Sequence, residues 1–208
     1  MLGGLEIKRL VESGEIGIEP FNESQLNPNS YNCRLYPKLL TYKLKRHTYF
    51  CPVSQEVRTI YGLDSAEEPE VESWDIPLEG FWLIPGVLYL GCTDEVIHSG
   101  NLDISLMPKS SLLRSGADVK VFAPHIETRS GYARLGLSSH LSAGWGDCNF
   151  SGQFTTEITV VHPLKIYPYA QICQVAFTRP NGEFQPYQGK YQGQRGPVPS
   201  RVWKEFQR

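Results

Sequence analysis

Two stretches of this chain gather the residue types that hold phosphate and steer water. PKSSLLRSG brings Lys109, Ser110, Ser111 and Arg114 together, and TRSGYARLGL brings Arg129, Ser130 and Arg134 together. A turn opening into a helix with hydroxyl and basic groups at its first residues makes an anion cradle, because the first amides lack partners and the dipole is positive there. The plainer alternative is a serine N-cap beside an exposed cation. After the second stretch come Trp145, Asp147, Phe150 and Gly152, then FTTEI, with Glu157 in an otherwise apolar or hydroxylic strand. Such a carboxylate either faces solvent or sits in a pocket where its pKa can be raised for proton work. The histidines carry less. His125 and Glu127 form the H-x-E that opens the zinc deaminase signature, but no C-x-x-C follows, and His47, His98, His140 and His162 lack ligand spacing. No zinc site is expected, and His125 is read as an ordinary strand or loop histidine. P-loop, dinucleotide-binding and hydrolase-elbow patterns are absent as well.

The elements that must position these residues are mostly strands. SYNCRLYPKLLTYKL, GFWLIPGVLYLGCTDEVI, LDISLMP, VKVFAPHI, LGLSSHLSAGW, FTTEITVVHPLKIYP and AQICQVAFTRP are short, β-branched or aromatic, and bounded by Gly, Pro, Asn or Asp. That punctuation predicts a mainly β barrel or sandwich. One short helix opens the chain, with Leu5, Ile7, Leu10 and Val11 near helical spacing and Gly14 as its C-terminal stop. Residues 54–78 hold clustered acids and read as a surface excursion. Residues 181–208 are rich in Gly, Pro, Gln and Tyr; they read as a frayed terminus or as a flexible lid. The 208 residues suit one domain, and a net charge of −2 supplies no basic field for a nucleic-acid backbone. Five scattered cysteines fit reduced thiols in a cytoplasmic protein, and no apolar run approaches the length of a membrane span.

Taken in order, these segments resemble the dCTP deaminase branch of the dUTPase-like superfamily. RSGYARLGL is similar to its R-S-S-x-x-R-L-G-L, SAGWGDCNFSG to A-G-W-x-D-x-G-[FY]-x-G, and FTTEI to the strand carrying its glutamate. LNPNSYNCRLYP, IYPYAQICQVAF and PYQGKYQGQRGPVPSR extend the likeness over nearly the whole chain. The resemblance implies a single domain over 1–208, a distorted dUTPase-like β-barrel with a short N-terminal helix and a C-terminal lid, assembled as a homotrimer that shares its sites between subunits. It implies zinc-independent hydrolytic deamination of dCTP, or a related cytosine deoxynucleotide, to dUTP and ammonia, supplying dUMP for thymidylate synthesis. Glu157 is then the proton carrier, with Ser130 and Arg134 positioning water and stabilising charge. Arg129, Ser142, Ala143, Asp147, Phe150, Gln174, Tyr187, Lys190 and Gln194 are the matching nucleotide-binding positions. Mg²⁺ is implied only through the triphosphate, without protein ligands, and dTTP as a regulator; no nucleic-acid or membrane partner is implied. A dUTP diphosphatase, alone or combined with deamination, stays open, with Asp147 activating water at the α-phosphorus. So does a non-catalytic nucleotide-binding trimer.

Four departures stand against the family pattern: Gly131 for a second serine, Asn32 for an aspartate, Cys148-Asn149 after Asp147, and Gly146 for an aliphatic residue. The duplicated turn is the deeper difficulty. Spacing from IPGVLYLG favours Ser110, Ser111 and Arg114 as the working set, which makes residues 118–137 an insertion. The uninterrupted run into HLSAGWGD and the spacing from Arg134 to Glu157 favour the second turn, and the reading leans there.

Overall fold

Alternation of buried and exposed residues governs the strands. TTEITV and CQVAFT each bury every second residue, as a half-buried pleated strand requires. The computed structural model describes residues 1–100, 102, 107–108, 111–114 and 120–207. Helix α1 (Gly4–Glu12) is followed by β1 (Gly17–Glu19), β2 (Tyr31–Cys33), β3 (Lys38–Tyr42), β4 (Lys45–Cys51), β5 (Glu56–Gly62), β6 (Val71–Asp75), β7 (Phe81–Leu83), β8 (Tyr89–Cys92) and β9 (Val96–His98). Then come β10 (Leu113–Arg114), β11 (Ala123–Thr128), α2 (Ser130–Ala133), β12 (Leu137–Ser138), β13 (Ser151–Gly152), β14 (Thr155–Val160), β15 (Leu164–Ile166), β16 (Cys173–Thr178) and β17 (Glu183–Phe184).

The largest sheet has the order β12-β14-β8-β3-β6, flanked by the three-stranded β11-β16-β2 and β1-β9-β13. Three strand pairs, β10-β17, β15-β7 and β4-β5, complete the set. The chain is therefore mainly β, as its punctuation predicted. Among the described residues the strands divide between small sheets, none of which closes on itself. Ile158 of β14 meets Leu35, Leu39, Leu83, Ile97, Val175 and Phe177 in one core, each at most 1% exposed. Burial of such a side chain contributes about 1.5–3 kcal/mol.

Helix α1 adds Ile7 and Leu10 to that core, both fully buried. Leu5, expected on the same stripe, is 84% exposed, because two residues turn a helix by about 200°. The helix ends at Glu12, and Gly14 takes a φ of 72° just beyond it. Residues 54–78, read as a surface excursion, carry all of β5 and all of β6. Strand β5 pairs with β4 in an outlying hairpin, and β6 forms the edge of the main sheet beside β3. Glu56, Glu72 and Asp75 are side chains of these strands, while Asp64, Glu67, Glu68 and Glu70 lie between them; both strands are largely exposed, which masked their alternation.

A buried ion pair fixes the turn before β9. Glu95 is wholly buried and accepts hydrogen bonds from Gln25 Nε2 (2.9 Å), Arg34 N (2.8 Å) and Arg34 Nε (3.0 Å). Its neighbour Asp94 pairs with Arg34 at 2.7 Å. All five cysteines are free thiols, three of them buried, and burial pushes the Cys92 thiol well up. Among the described residues no helix is long and apolar enough to cross a membrane.

Candidate active site

Strand β14 presents two faces. Thr156, Ile158 and Val160 are buried, while Thr155 and Glu157 alternate with them and line a cavity of about 290 Å³. That is near the lower end for ligand pockets. Glu157 is held at its backbone, where its N–H donates to Ser139 O (2.9 Å), and at one carboxylate oxygen, where Oε2 accepts from Leu141 N (3.2 Å). The loop from Ser139 to Asn149 thus leaves β12 beside Glu157 and returns along β11. There Gly144 O accepts from Ile126 N (2.7 Å), and Gly146 N donates to Pro124 O (2.8 Å). This course brings Trp145, Gly146 and Asp147 to the cavity.

Aromatic rings make most of the wall. Phe150, 6% exposed, lies 4.6 Å from Phe154 and 5.8 Å from Tyr187, centroid to centroid. Tyr42, at the end of β3, enters from the far side. Burial raises its phenol pKa, and the Tyr191 and Glu157 charges add to that rise. His125 takes a packing position: its ring stacks on Trp145 at 4.2 Å, and its Nε2 lies 3.3 Å from Glu127.

The C-terminal segment is laid along the cavity rather than frayed. Tyr187 N donates to Cys148 O (2.8 Å), Gly193 N to Ser151 O (2.7 Å), and Gly196 N to Gln153 Oε1 (2.6 Å). Three hydroxyls then receive backbone amides: Thr155 from Val198, Tyr42 from Ser200 and Tyr191 from Arg201. Gln194 donates through Nε2 to Gln153 O (2.6 Å), while its Oε1 is buried without a partner among the described residues. An unpaired buried acceptor carries a desolvation cost that a bound donor would relieve.

Of the residues picked from sequence, Asp147, Phe150, Glu157, Tyr187 and Gln194 share this cavity. Lys190 lies beside it, its ammonium on Glu205 and its pKa raised by that carboxylate. Ser142 and Ala143 are exposed on the loop. Gln174 stands apart on β16, opposite Asn32, and accepts from Ser30 Oγ (3.0 Å). Arg129, Ser130 and Arg134 sit on and beside α2, outside the cavity lining; Ser130 and Arg134 are exposed, and Arg129 donates to Gln171 Oε1 (3.1 Å). The single turn of α2 has Arg129 at its N-cap with no side-chain capping bond, so a serine N-cap does not describe it. Sequence reading missed Tyr42, Leu90, Phe154, Thr155, Tyr191 and residues 198–200 as lining groups. Thr155 was within reach, because it lies two residues before Glu157 on the same strand face.

The two serine-bearing turns part company here. The second leads through Gly136, at φ 76°, into β12, which pairs with β14 in register Leu137↔Val160 and Ser138↔Thr159. In the first, Ser110 lies outside the described residues; Ser111 N donates to Pro108 O, and Leu113–Arg114 pairs with β17. The family departures also find partners. Asn149 takes a φ of 67°, a left-handed conformation that asparagine tolerates in place of glycine. Asn32 Oδ1 accepts from Asn27 Nδ2 at 2.8 Å.

Comparison with known proteins assigns the family. A dCTP deaminase-like family model matches residues 1–128 and again 119–180, so each match holds one of the two turns. A protein of Hathewaya histolytica named "dCTP deaminase, dUMP-forming" is 38% identical over 208 residues, covering 100% of this chain and 99% of its own. One of the same name from Leptospira biflexa is 37% identical over 209 residues with the same coverage. In fold, the chain is similar to the crystal structure of 2′-deoxycytidine 5′-triphosphate deaminase from Agrobacterium tumefaciens, with a TM-score of 0.51 and 16% identity. That match takes in 85% of this chain and about half, 47%, of the other. The family match and the full-length relatives together place the chain in the dCTP deaminase-like family.

Proposed function

We propose that the chain deaminates dCTP hydrolytically and also cleaves the triphosphate, so that dCTP and two waters give dUMP, ammonia and diphosphate. The observation that carries this is Glu157. Its carboxylate is tethered at one oxygen by Leu141 N and stands in an aromatic cavity with Asp147. One end of the carboxylate is oriented while the group can still accept a proton from water and return it to a leaving amine. The sequence reading put dUTP first as product and the combined activity as an alternative; relatives named as dUMP-forming favour the combined one.

Glu157 takes the proton of a water that attacks C4 of cytosine, and passes it to the departing ammonia. The unpaired Gln194 Oε1 offers an acceptor to a donor on the nucleotide. Phe150 and Tyr187 supply an apolar wall for the deoxyribose. Asp147, exposed on the rim, activates the second water against the α-phosphorus. The phosphate oxygens beside Asp147 are the hard donors that Mg²⁺ takes, and bound there the ion would neutralise phosphate charge. Arg129, Ser130 and Arg134 are basic and hydroxylic groups at the surface, outside their own cavity. In a homotrimer with shared sites they complete a neighbour's pocket, where Ser130 and Arg134 hold the water and the charge that develops.

Ammonia and diphosphate are followed separately with dCTP and with dUTP as substrates. Both products from dCTP are expected; ammonia alone restricts the chain to deamination, and neither product ends the enzymatic reading. Glu157→Gln is expected to lower ammonia release by about 10²–10⁴-fold while nucleotide still raises the melting temperature. Deamination at the wild-type rate in that variant rules Glu157 out as the base.

A further inference from the structure

Gly146 is the departure with the most to say about the pocket. A Cβ built at this position would lie 2.7 Å from Pro124 Cγ and 2.8 Å from both Cε1 and Cζ of Phe154. Real Cβ atoms do not approach so closely, so the ring of Phe154 occupies the room a side chain at 146 would take. The backbone at Gly146 needs no positive φ. Space, not conformation, is what demands glycine there.

Phe154 uses that room to reach Phe150. The two ring centroids are 4.6 Å apart with planes tilted by 54°, and Phe150 in turn lies 5.8 Å from Tyr187 at 57°. Both spacings fall in the range where tilted aromatic pairs attract, beyond the effect of area alone. All three rings line the cavity. They form a row from the bare backbone of Gly146 to the C-terminal segment. Phe154 is fixed from behind, since its N–H donates to Thr93 Oγ1 (3.0 Å) and its carbonyl accepts from Thr93 N (2.9 Å). Thr93 itself is fully buried.

We propose that Phe154 is a positioning residue for sugar selection. Seated over Gly146, it holds the Phe150 ring at the deoxyribose, so that discrimination against a 2′-hydroxyl depends on the Gly146–Phe154 pair. An aromatic wall offers a hydroxyl no hydrogen bond, so a ribonucleotide pressed against it leaves a polar group unpaired. Freed to tilt, Phe150 opens room for water or for the hydroxyl, and the penalty falls. This rests on the proposed placement of the sugar against Phe150.

The test compares substrates within one preparation, which makes it independent of the fraction of active protein. The ratio of kcat/KM for dCTP over CTP is measured by ammonia release for wild type, Phe154→Leu, Gly146→Ala and the double variant. Each single variant is expected to lower the ratio roughly tenfold, mainly through a lower KM for CTP. The double variant is expected to lose no more than either single one, because leucine frees the room that the new Cβ needs. An unchanged ratio in the single variants, or strictly multiplicative losses in the double variant, overturns the proposal. Calorimetric titration with dUMP and UMP reads the same preference without turnover. A wild type that releases no ammonia yet binds dUMP over UMP, with the preference lost in Phe154→Leu, removes the deaminase reading and leaves this one standing.

Discussion

The two serine-bearing turns are near-copies in sequence and opposites in placement. PKSSLLRSG holds the fuller complement of hydroxyls, yet its described end pairs with β17, two residues of the C-terminal segment. TRSGYARLGL has lost one serine to Gly131, yet it feeds β12, whose backbone is bound into β14 and the strand of Glu157. A phosphate turn draws its meaning from the element that follows it, because that element sets where the cradle stands relative to the reacting group. Residue types alone ranked the turns almost equally. Their outgoing strands separate them.

Paired substitutions in the two turns test the contrast most strongly. Arg134→Ala and Ser130→Ala are expected to reduce kcat for ammonia release by about 10²–10³-fold, the usual cost of removing a group that stabilises developing charge. Arg114→Ala and Ser111→Ala are expected to stay within about twofold, as for surface positions away from a site. Steady-state rates of all four variants, measured together, decide it. The reverse pattern moves the site to the first turn and makes the second the insertion.

A smaller effect probes how Leu102, upstream of the first turn, is fastened. The buried side chain of Asn149 brackets Leu102: Oδ1 accepts from Leu102 N (3.2 Å) and Nδ2 donates to Leu102 O (3.3 Å). Asn149→Ala removes both bonds and places a Cβ-bearing residue without a local acceptor at φ 67°. The expected loss is about 1–3 kcal/mol in urea-midpoint measurements. Asn149→Gly keeps the backbone relaxed and is expected to lose less. Equal losses would assign the whole effect to the side-chain bonds.

The mainly β class, the opening helix and five cavity residues were legible because each leaves a local signature. β-branched runs end at turn residues, and Glu157 is conspicuous in a strand of hydroxyls and aliphatics. Other features were illegible for physical reasons. Strand β5 is exposed on both faces, so no alternation betrays it. Tyr42 reaches the cavity only because β3 lies beside β8 in the main sheet. Gly146 read as an erosion of the family pattern, because its reason lies in a ring eight residues away. Such long-range pairings have no period to detect. The α2 residues were legible as chemistry but not as position, since they lie outside the cavity of their own chain.

The smallest effect concerns Lys120, downstream of the first turn in sequence. Lys120 Nζ donates to Glu15 Oε1 at 2.8 Å, tying residue 120 to the turn after α1. The hydrogen bond from Lys120 is the main reason the Glu15 carboxyl titrates below the usual carboxylate range, with Ser13 and Arg9 adding to it. A carboxyl depressed in the folded state adds stability above the unfolded value, about 4.3 for glutamate. That stability is lost as pH falls through the lower folded value, where the unfolded chain has already bound the proton. Glu15→Gln is therefore expected to melt slightly below wild type near pH 7, by the small amount typical of a screened pair. The gap should close as pH is lowered past about 4.3. Melting curves of both proteins over this range, at low and high salt, measure it. A gap that persists in acid or ignores salt assigns the contribution of Glu15 to packing rather than to charge.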